Sequence, residues 1–283
     1  MDKAAFQAAL VAAGLSRLVK DIDRLARPSI RLSATKADES LMNVGASKLG
    51  GIPDLPPGLA WPELKGAPQS FIAQIRLDDV RQLDIEKVLP QSGMLWFFYD
   101  AEQQTFGADP TDRGGWQVLF QDVDLTKLQR TPVPAKLPAA SQFQACFLGF
   151  ASELTLSQQP QLEILNLDWT DEDQKKYETV LATLSSQADR ATPHHRLLGN
   201  PDTIQDDMRL ECQLASNGVT DIDDPRAAAL SKGAMDWQLL LQIDTNEEIG
   251  VRWGNAGMLY YWIRSADLQA RRFDSTWLVL QSE

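Results

Sequence analysis

Apolar residues recur through the first 25 positions at Phe6, Leu10, Leu15, Leu18, Ile22 and Leu25. Spacings of three to five place them on one helical stripe that ends before Pro28. The pattern predicts an amphipathic helix within 1–27, docked on the chain's own core rather than on a membrane surface. The period then changes. Ile30, Leu32 and Ala34 alternate with polar residues, the mark of a strand. The stretch 45–68 is dense in Gly and Pro and predicts a loop without regular structure. Trp61 within it predicts an ordered loop, because an indole is usually at least half buried.

Three apolar runs follow: FIAQI at 71–75, MLWFFY at 94–99 behind Gly93, and WQVLFQ at 116–121 behind an Arg-Gly-Gly turn. Their length and aromatic content predict strands. Further strands are expected at 143–150 and 162–167, and a helix at 172–184 with Thr170 and Asp173 as its capping box. Met208, Cys212 and Ala215 mark a short helix that Asn217-Gly218 stops. The last block repeats the first: LLLQI at 239–243, MLYYWI at 258–263 behind Gly257, and WLVLQ at 277–281.

Four segments therefore recur in the same order. Leu49-Gly50-Gly51-Ile52-Pro53-Asp54 answers Leu197-Leu198-Gly199-Asn200-Pro201-Asp202, and FIAQI answers LLLQI. Gly93-Met94-Leu95 answers Gly257-Met258-Leu259, and Trp116 answers Trp277. Single apolar matches are weak, but four in order with shared Gly, Pro, Asp and Gln predict an internal duplication. Gln74 and Gln242 are its most telling residues. An amide in an apolar strand costs about 1–3 kcal/mol unless it is hydrogen-bonded. Each is expected to staple the Gly-x-Pro-Asp loop of its own half, 50–58 or 198–205. The competing expectation is that both face a ligand.

Charge and length narrow the functional classes. With 283 residues the chain can bury a core without disulfide or metal staples. The net charge of −12 disfavours phosphate backbones and anionic membranes. No nucleic acid and no membrane are expected as partners; a basic protein partner or a small polar ligand would suit. Cys146 and Cys212 sit among apolar residues, as buried free thiols do. The first residues form no targeting signal and no run is long enough to span a bilayer, so the expected location is cytoplasmic.

The segments LGGIPDLPPGLAWP, FIAQIRLDDV, LPQSGMLWFFYD, HRLLGNPDTIQDDM and LLLQIDTNEEIGVRWGNAGMLYYWIRSADL resemble the YwqG-like family of bacterial proteins, from about Leu49 to the C-terminus. The resemblance implies one α+β unit with a duplicated β-rich motif, and no established activity. Where that family often has an acid after the Trp-Gly of the last block, this chain has Asn255, which weakens the case for an acidic ligand there. The resemblance also implies, by association alone, an immunity or antagonist role, since some relatives are encoded near secreted toxin systems.

The expected fold is α+β, β-rich and mainly antiparallel, with peripheral helices. A helical segment at 1–27 docks on a single domain at 28–283, whose related halves lie near 47–122 and 195–282. No catalytic constellation stands out. The two histidines, His194 and His195, are adjacent, and His195 is expected to hydrogen-bond backbone beside the second loop. No spacing suits a metal, the aspartates at 221–224 look like a solvated turn, and no cofactor fingerprint is present. The candidate ligand residues are Asp54, Trp61, Gln74, His195, Asp202, Gln205, Gln242 and Trp253. Trp61 and Trp253 lie outside strands and are the candidates for lining a groove, although anchoring to the core is the commoner fate. The function expected is non-catalytic binding or interaction. The alternatives are a small-ligand binder or a carboxylate hydrolase using a cleft near the Gly-x-Pro-Asp loops.

Overall fold

A computed structural model of the protein describes residues 3–184 and 192–283. Among these, ten strands form one antiparallel sheet: β1 (Arg27–Lys36), β2 (Lys48–Leu49), β3 (Ser70–Arg76), β4 (Met94–Tyr99), β5 (Trp116–Gln121), β6 (Cys146–Thr155), β7 (His195–Leu197), β8 (Trp237–Asp244), β9 (Met258–Arg264) and β10 (Trp277–Gln281). Their spatial order is β10-β9-β8-β7-β1-β6-β2-β3-β4-β5. It reads as a palindrome about the long β1–β6 pair, where Arg27 faces Thr155 and Lys36 faces Cys146. Each side then runs outward through a short strand and a three-stranded meander. The fold is thus α+β, mainly antiparallel and internally duplicated.

The register repeats in detail. Lys48 faces Gln74 as Arg196 faces Gln242. Gln74 faces Trp96 as Gln242 faces Tyr260. A bulge interrupts β3 between Phe71 and Ala73 and β8 between Leu239 and Leu241. One sequence match needs correction. Met94 faces Gln121 and Met258 faces Gln281, so Gln121 matches Gln281, Trp116 matches Thr276, and Gln117 matches Trp277. A slip of one residue moves a side chain to the other face of the sheet. The two indoles resemble each other for a different reason. The sheet curls into a nearly closed barrel, and Trp116 and Trp277 meet edge to face where its ends come together, with ring centroids 4.9 Å apart. The seam is hydrogen-bonded by Trp116 Nε1 to Thr276 O, Trp277 Nε1 to Gly107 O and Tyr261 OH to Phe98 O.

Both faces of the central strands are covered, which is why β4 and β9 are apolar without alternation. In β4, Leu95, Phe97 and Tyr99 join the main core, while Met94, Trp96 and Phe98 pack outward under Leu55, Phe71 and Leu128. The stretch 45–68, expected to be irregular, contains β2 and short pairings at Asp54–Leu55, Glu63–Leu64 and Ala67–Pro68. Its Gly and Pro residues set the turns between these pairings.

The N-terminal stripe is not one helix. It forms α1 (Lys3–Ala12), a single 3-10 turn and α2 (Val19–Asp23), broken where Gly14 takes a φ of +81°. Phe6, Leu10, Leu15, Leu18 and Ile22 still share one cluster, with Leu156 and with Tyr177 and Val180 of α3 (Asp171–Leu184). The box at the start of α3 is formed: Thr170 N donates to Asp173 Oδ2 (2.9 Å) and Asp173 N to Thr170 Oγ1 (3.2 Å). The strand expected at 162–167 is absent. Pro160 opens a helical turn, Pro160–Glu163, because its fixed φ suits a first helical position. The short helix α4 (Met208–Ala215) is present, and Gly218 follows it with a φ of +76°. No described helix is long and apolar enough to cross a membrane.

Candidate functional site

The chemistry singled out by the duplication lies in two buried clusters. In the first half, Asp54 N donates to Gln74 Oε1 (2.8 Å), and Gln74 Nε2 donates to Ala46 O and Asp54 Oδ2 (both 2.8 Å). Trp96 Nε1 donates to Asp54 O (3.0 Å). The Asp54 carboxylate also holds Lys48 Nζ at 3.3 Å and Arg130 Nε at 3.1 Å. The second half repeats this. Asp202 N donates to Gln242 Oε1 (2.9 Å), and Gln242 Nε2 donates to His194 O (2.7 Å) and Asp202 Oδ2 (3.1 Å). Tyr260 OH donates to Asp202 O (2.6 Å), and Asp202 Oδ2 holds Arg196 Nη1 (2.7 Å) and His194 Nδ1 (2.9 Å). Each glutamine therefore staples its loop. The preceding turns match too: Gly50 and Leu198 have φ near +60°, and a Cβ on Gly51 or Gly199 would fall 2.8 Å from Ala145 Cβ or 2.6 Å from Ser29 Cβ.

Burial sets the electrostatics of these clusters. It would by itself raise the pKa of Asp202, but Arg196 and His194 overcome it and hold the carboxyl far below its ordinary range. His195 takes the place of Ser47: Asp244 N donates to His195 Nδ1 (3.1 Å) as Arg76 N donates to Ser47 Oγ (2.9 Å). Burial first, then Arg31 and His194, push His195 down to about 3, so the ring is neutral. The thiols are free and buried; burial pushes Cys146 up to about 11 and Cys212 well above the ordinary value, away from the nucleophilic thiolate. Among the described residues no three His, Cys, Asp or Glu side chains are grouped to hold a metal.

Of the eight candidate residues, Asp54 is paired with Gln74 and Asp202 with Gln242, while His195 takes Asp244 N beside the second pair; none of the five is more than 1% exposed. Trp253 is wholly buried and packed edge-on against Tyr99 and Phe143. Gln205 lies exposed and donates to Ser282 O. Trp61 is half-buried against Phe98, with Nε1 on Gln69 O (2.9 Å).

That last bond leads to a cleft of about 440 Å³, whose lining contains none of the eight. It opens between the 63–68 hairpin and the loop 100–112, with Lys136 on its far side. Ser70 faces Tyr99, so the residues just beyond, Gln69 and Asp100, stand at the end of the β3–β4 pair. Gln69 is fully buried. Its Nε2 donates to Gly114 O (2.7 Å), which leaves Oε1 as an acceptor without a partner. The acids of the loop are held in place. Asp100 accepts from Glu102 N and Gln104 N, and Asp112 from Phe106 N and Gly107 N. Sequence reasoning passed over Gln69 and Asp100 because the block matches were drawn one or two residues inside them. Extending both strand pairs outward by register would have reached them.

Comparison with known proteins adds one finding. A family model described as "Domain of unknown function (DUF1963)" matches residues 47–282. No curated protein matches the chain.

Proposed function

Since the chain belongs to that family of unknown function, we propose its role from geometry: it is a binding protein whose site is the cleft at Gln69 and Asp100. The observation that carries this is the buried, unpartnered Gln69 carbonyl beside a cleft of about 440 Å³ that Gln69 helps to line. A buried acceptor without a partner is costly, and in native proteins it calls for an explanation such as a ligand. Support for binding over catalysis comes from the residues best suited to catalysis. The histidines and cysteines are buried, and His195 is held neutral. We propose further that the ligand is a small polar molecule or a basic group of a protein partner, in keeping with the net charge of −12. A YwqG-like, immunity-like role in the cytoplasm fits that picture.

The test is a screen of cationic, neutral and anionic small molecules against 15N-labelled protein. Binding that shifts the amides of 63–69 and 100–112 supports the cleft. Binding confined to other surfaces overturns it. If the partner is a basic protein, association weakens as salt rises from low to physiological.

A further inference from the structure

The second half shows what belongs at the equivalent place. By register, Gln69 corresponds to Trp237 and Asp100 to Arg264, which face each other at the end of the β8–β9 pair. There the guanidinium of Arg264 lies over the Trp237 ring at 4.3 Å, and α4 covers both. Gln213 of α4 brings the acceptor this end needs. Its Oε1 takes the Trp237 indole N–H (2.9 Å) and Arg264 Nη2 (3.3 Å), and Ser216 Oγ takes Arg264 Nη2 at 2.9 Å. The sheet donates and its cover accepts. In the first half that chemistry is inverted: Gln69 offers a carbonyl oxygen and Asp100 a carboxylate, and instead of a helix there is the cleft.

We infer that the cleft takes a cationic hydrogen-bond donor, an ammonium or guanidinium group, which occupies over Gln69 and Asp100 the position that Gln213 occupies over Trp237 and Arg264. This rests on the reading of the cleft as the binding site and specifies its ligand. The cleft also borders an acceptor in need of a donor: Gln69 Oε1 is buried and unpartnered, because the amide's own N–H is committed to Gly114. A positive charge is favoured because Asp100, Glu102 and Asp112 line the cleft, with Asp100 only 5% exposed. The two cations there, Lys65 and Lys136, are on exposed residues, where solvent screens them. The carboxylates already accept backbone N–H groups, so the loop is set before the ligand arrives.

The group could be a free amine or guanidine, or a Lys or Arg side chain of a protein. Two probes separate these sources: agmatine, and a capped Gly-Arg-Gly peptide. Acetate and glycerol serve as the anionic and neutral probes, each titrated into the full 15N-labelled chain. Agmatine, the peptide or both should shift the Gln69 side-chain amide and the backbone of 100–107. Tighter binding of the peptide assigns the group to a protein; tighter binding of agmatine assigns it to a small molecule. Gln69→Met, which keeps length but removes the acceptor, should weaken the cation by about ten-fold, the worth of one hydrogen bond to a charged group. Glu102→Gln, at an exposed position, should weaken it by a smaller factor and preserve the fold. Acetate or glycerol shifting these residues as strongly as the cations would overturn the cation inference and leave the cleft as a binding site. Full cation affinity in a folded Gln69→Met protein would also overturn it. Silence of the cleft toward every probe would overturn both readings.

Discussion

In the first half the buried carboxylate of Asp54 is shared between Lys48 and Arg130; in the second, Asp202 is shared between Arg196 and His194. Each inner cation has a further carboxylate, Glu39 at 3.0 Å from Lys48 and Glu153 at 3.2 Å from Arg196. The aspartate and the glutamine staple are kept, while the cations and the aromatic donor vary between Trp96 and Tyr260. The invariant demand is that a tight loop with few ladder bonds be tied to the strand beside it and its charge neutralised in place. Which cation does this is free to change, provided one reaches. The outer ends of the halves differ more deeply: Gln213 of α4 covers one, and the other borders the cleft at Gln69 and Asp100. Equivalent backbones have thus diverged into an end under a helix and an end beside a cleft.

The largest expected effect is loss of either aspartate. Asp54→Asn and Asp202→Asn each remove the charge facing a buried cation, and breaking a buried pair costs about 3–5 kcal/mol. The second carboxylate at each site should hold the loss near the lower figure. Urea denaturation should show similar losses in the two variants. A loss confined to one would mean that the matched geometry hides unequal roles.

Removing the staples should cost less. Gln74→Leu and Gln242→Leu each leave a loop N–H and a carbonyl unpaired, worth about 1–3 kcal/mol. The two clusters share none of the hydrogen-bond partners described above, so the double variant should lose roughly the sum. Strong coupling between them, measured by the same denaturation, would show that the halves do not carry their loops independently.

How far this was legible in the sequence depends on the period of the signal. β3, β4, β8 and β9 were legible because their apolar runs exceed any loop's, and Gln74 and Gln242 stood out as polar residues inside them. The staple followed from the cost of an unbonded amide. The break at Gly14 was not legible, because the apolar stripe runs on across it, and Gly is only a weak helix breaker against such a pattern. The Trp116–Trp277 match misled because the two indoles meet at a seam that exists only after the sheet has curled. The cations at Lys48, Arg130 and Arg196 were missed, since long polar side chains are ordinarily solvated and only the fold buries these. The cleft was missed because its floor lies at strand ends, where periodicity stops.

The pH dependence of stability should separate a buried and a half-buried group of the second half. His195 is depressed to about 3 from 6.5, so the unfolded chain takes the proton first. Its contribution is complete above about pH 6.5 and drains as pH falls toward 3, at up to about 1.4 kcal/mol per pH unit. Glu211 is raised by burial from 4.5 to about 7, so there the folded chain takes the proton first and stability gains as pH falls from 7 to 4.5. The two slopes oppose each other between 6.5 and 4.5. The protein should therefore hold its stability across that window and lose it below, where Asp202, held low, adds to the loss as it protonates. Glu211→Gln should expose the His195 slope from pH 6.5 downward in urea titrations at stepped pH. A flat profile in that variant would remove His195 as the cause.

The smallest effect is the most diagnostic of the two outer ends. Gln213→Met takes away the acceptor for Trp237 Nε1 and one of two for Arg264, and should destabilise by about 1–2 kcal/mol. Gln69→Met, at the matched end of the other half, removes an amide that is only half satisfied. It forfeits one bond to Gly114 O but also the penalty of a buried oxygen with no donor, and these offset each other. The free protein should therefore change by less than about 0.5 kcal/mol, the size of an ordinary neutral substitution. A loss at Gln69 as large as that at Gln213 would mean the carbonyl is already satisfied in the unliganded protein, and the end beside the cleft would then be as structural as the end under α4.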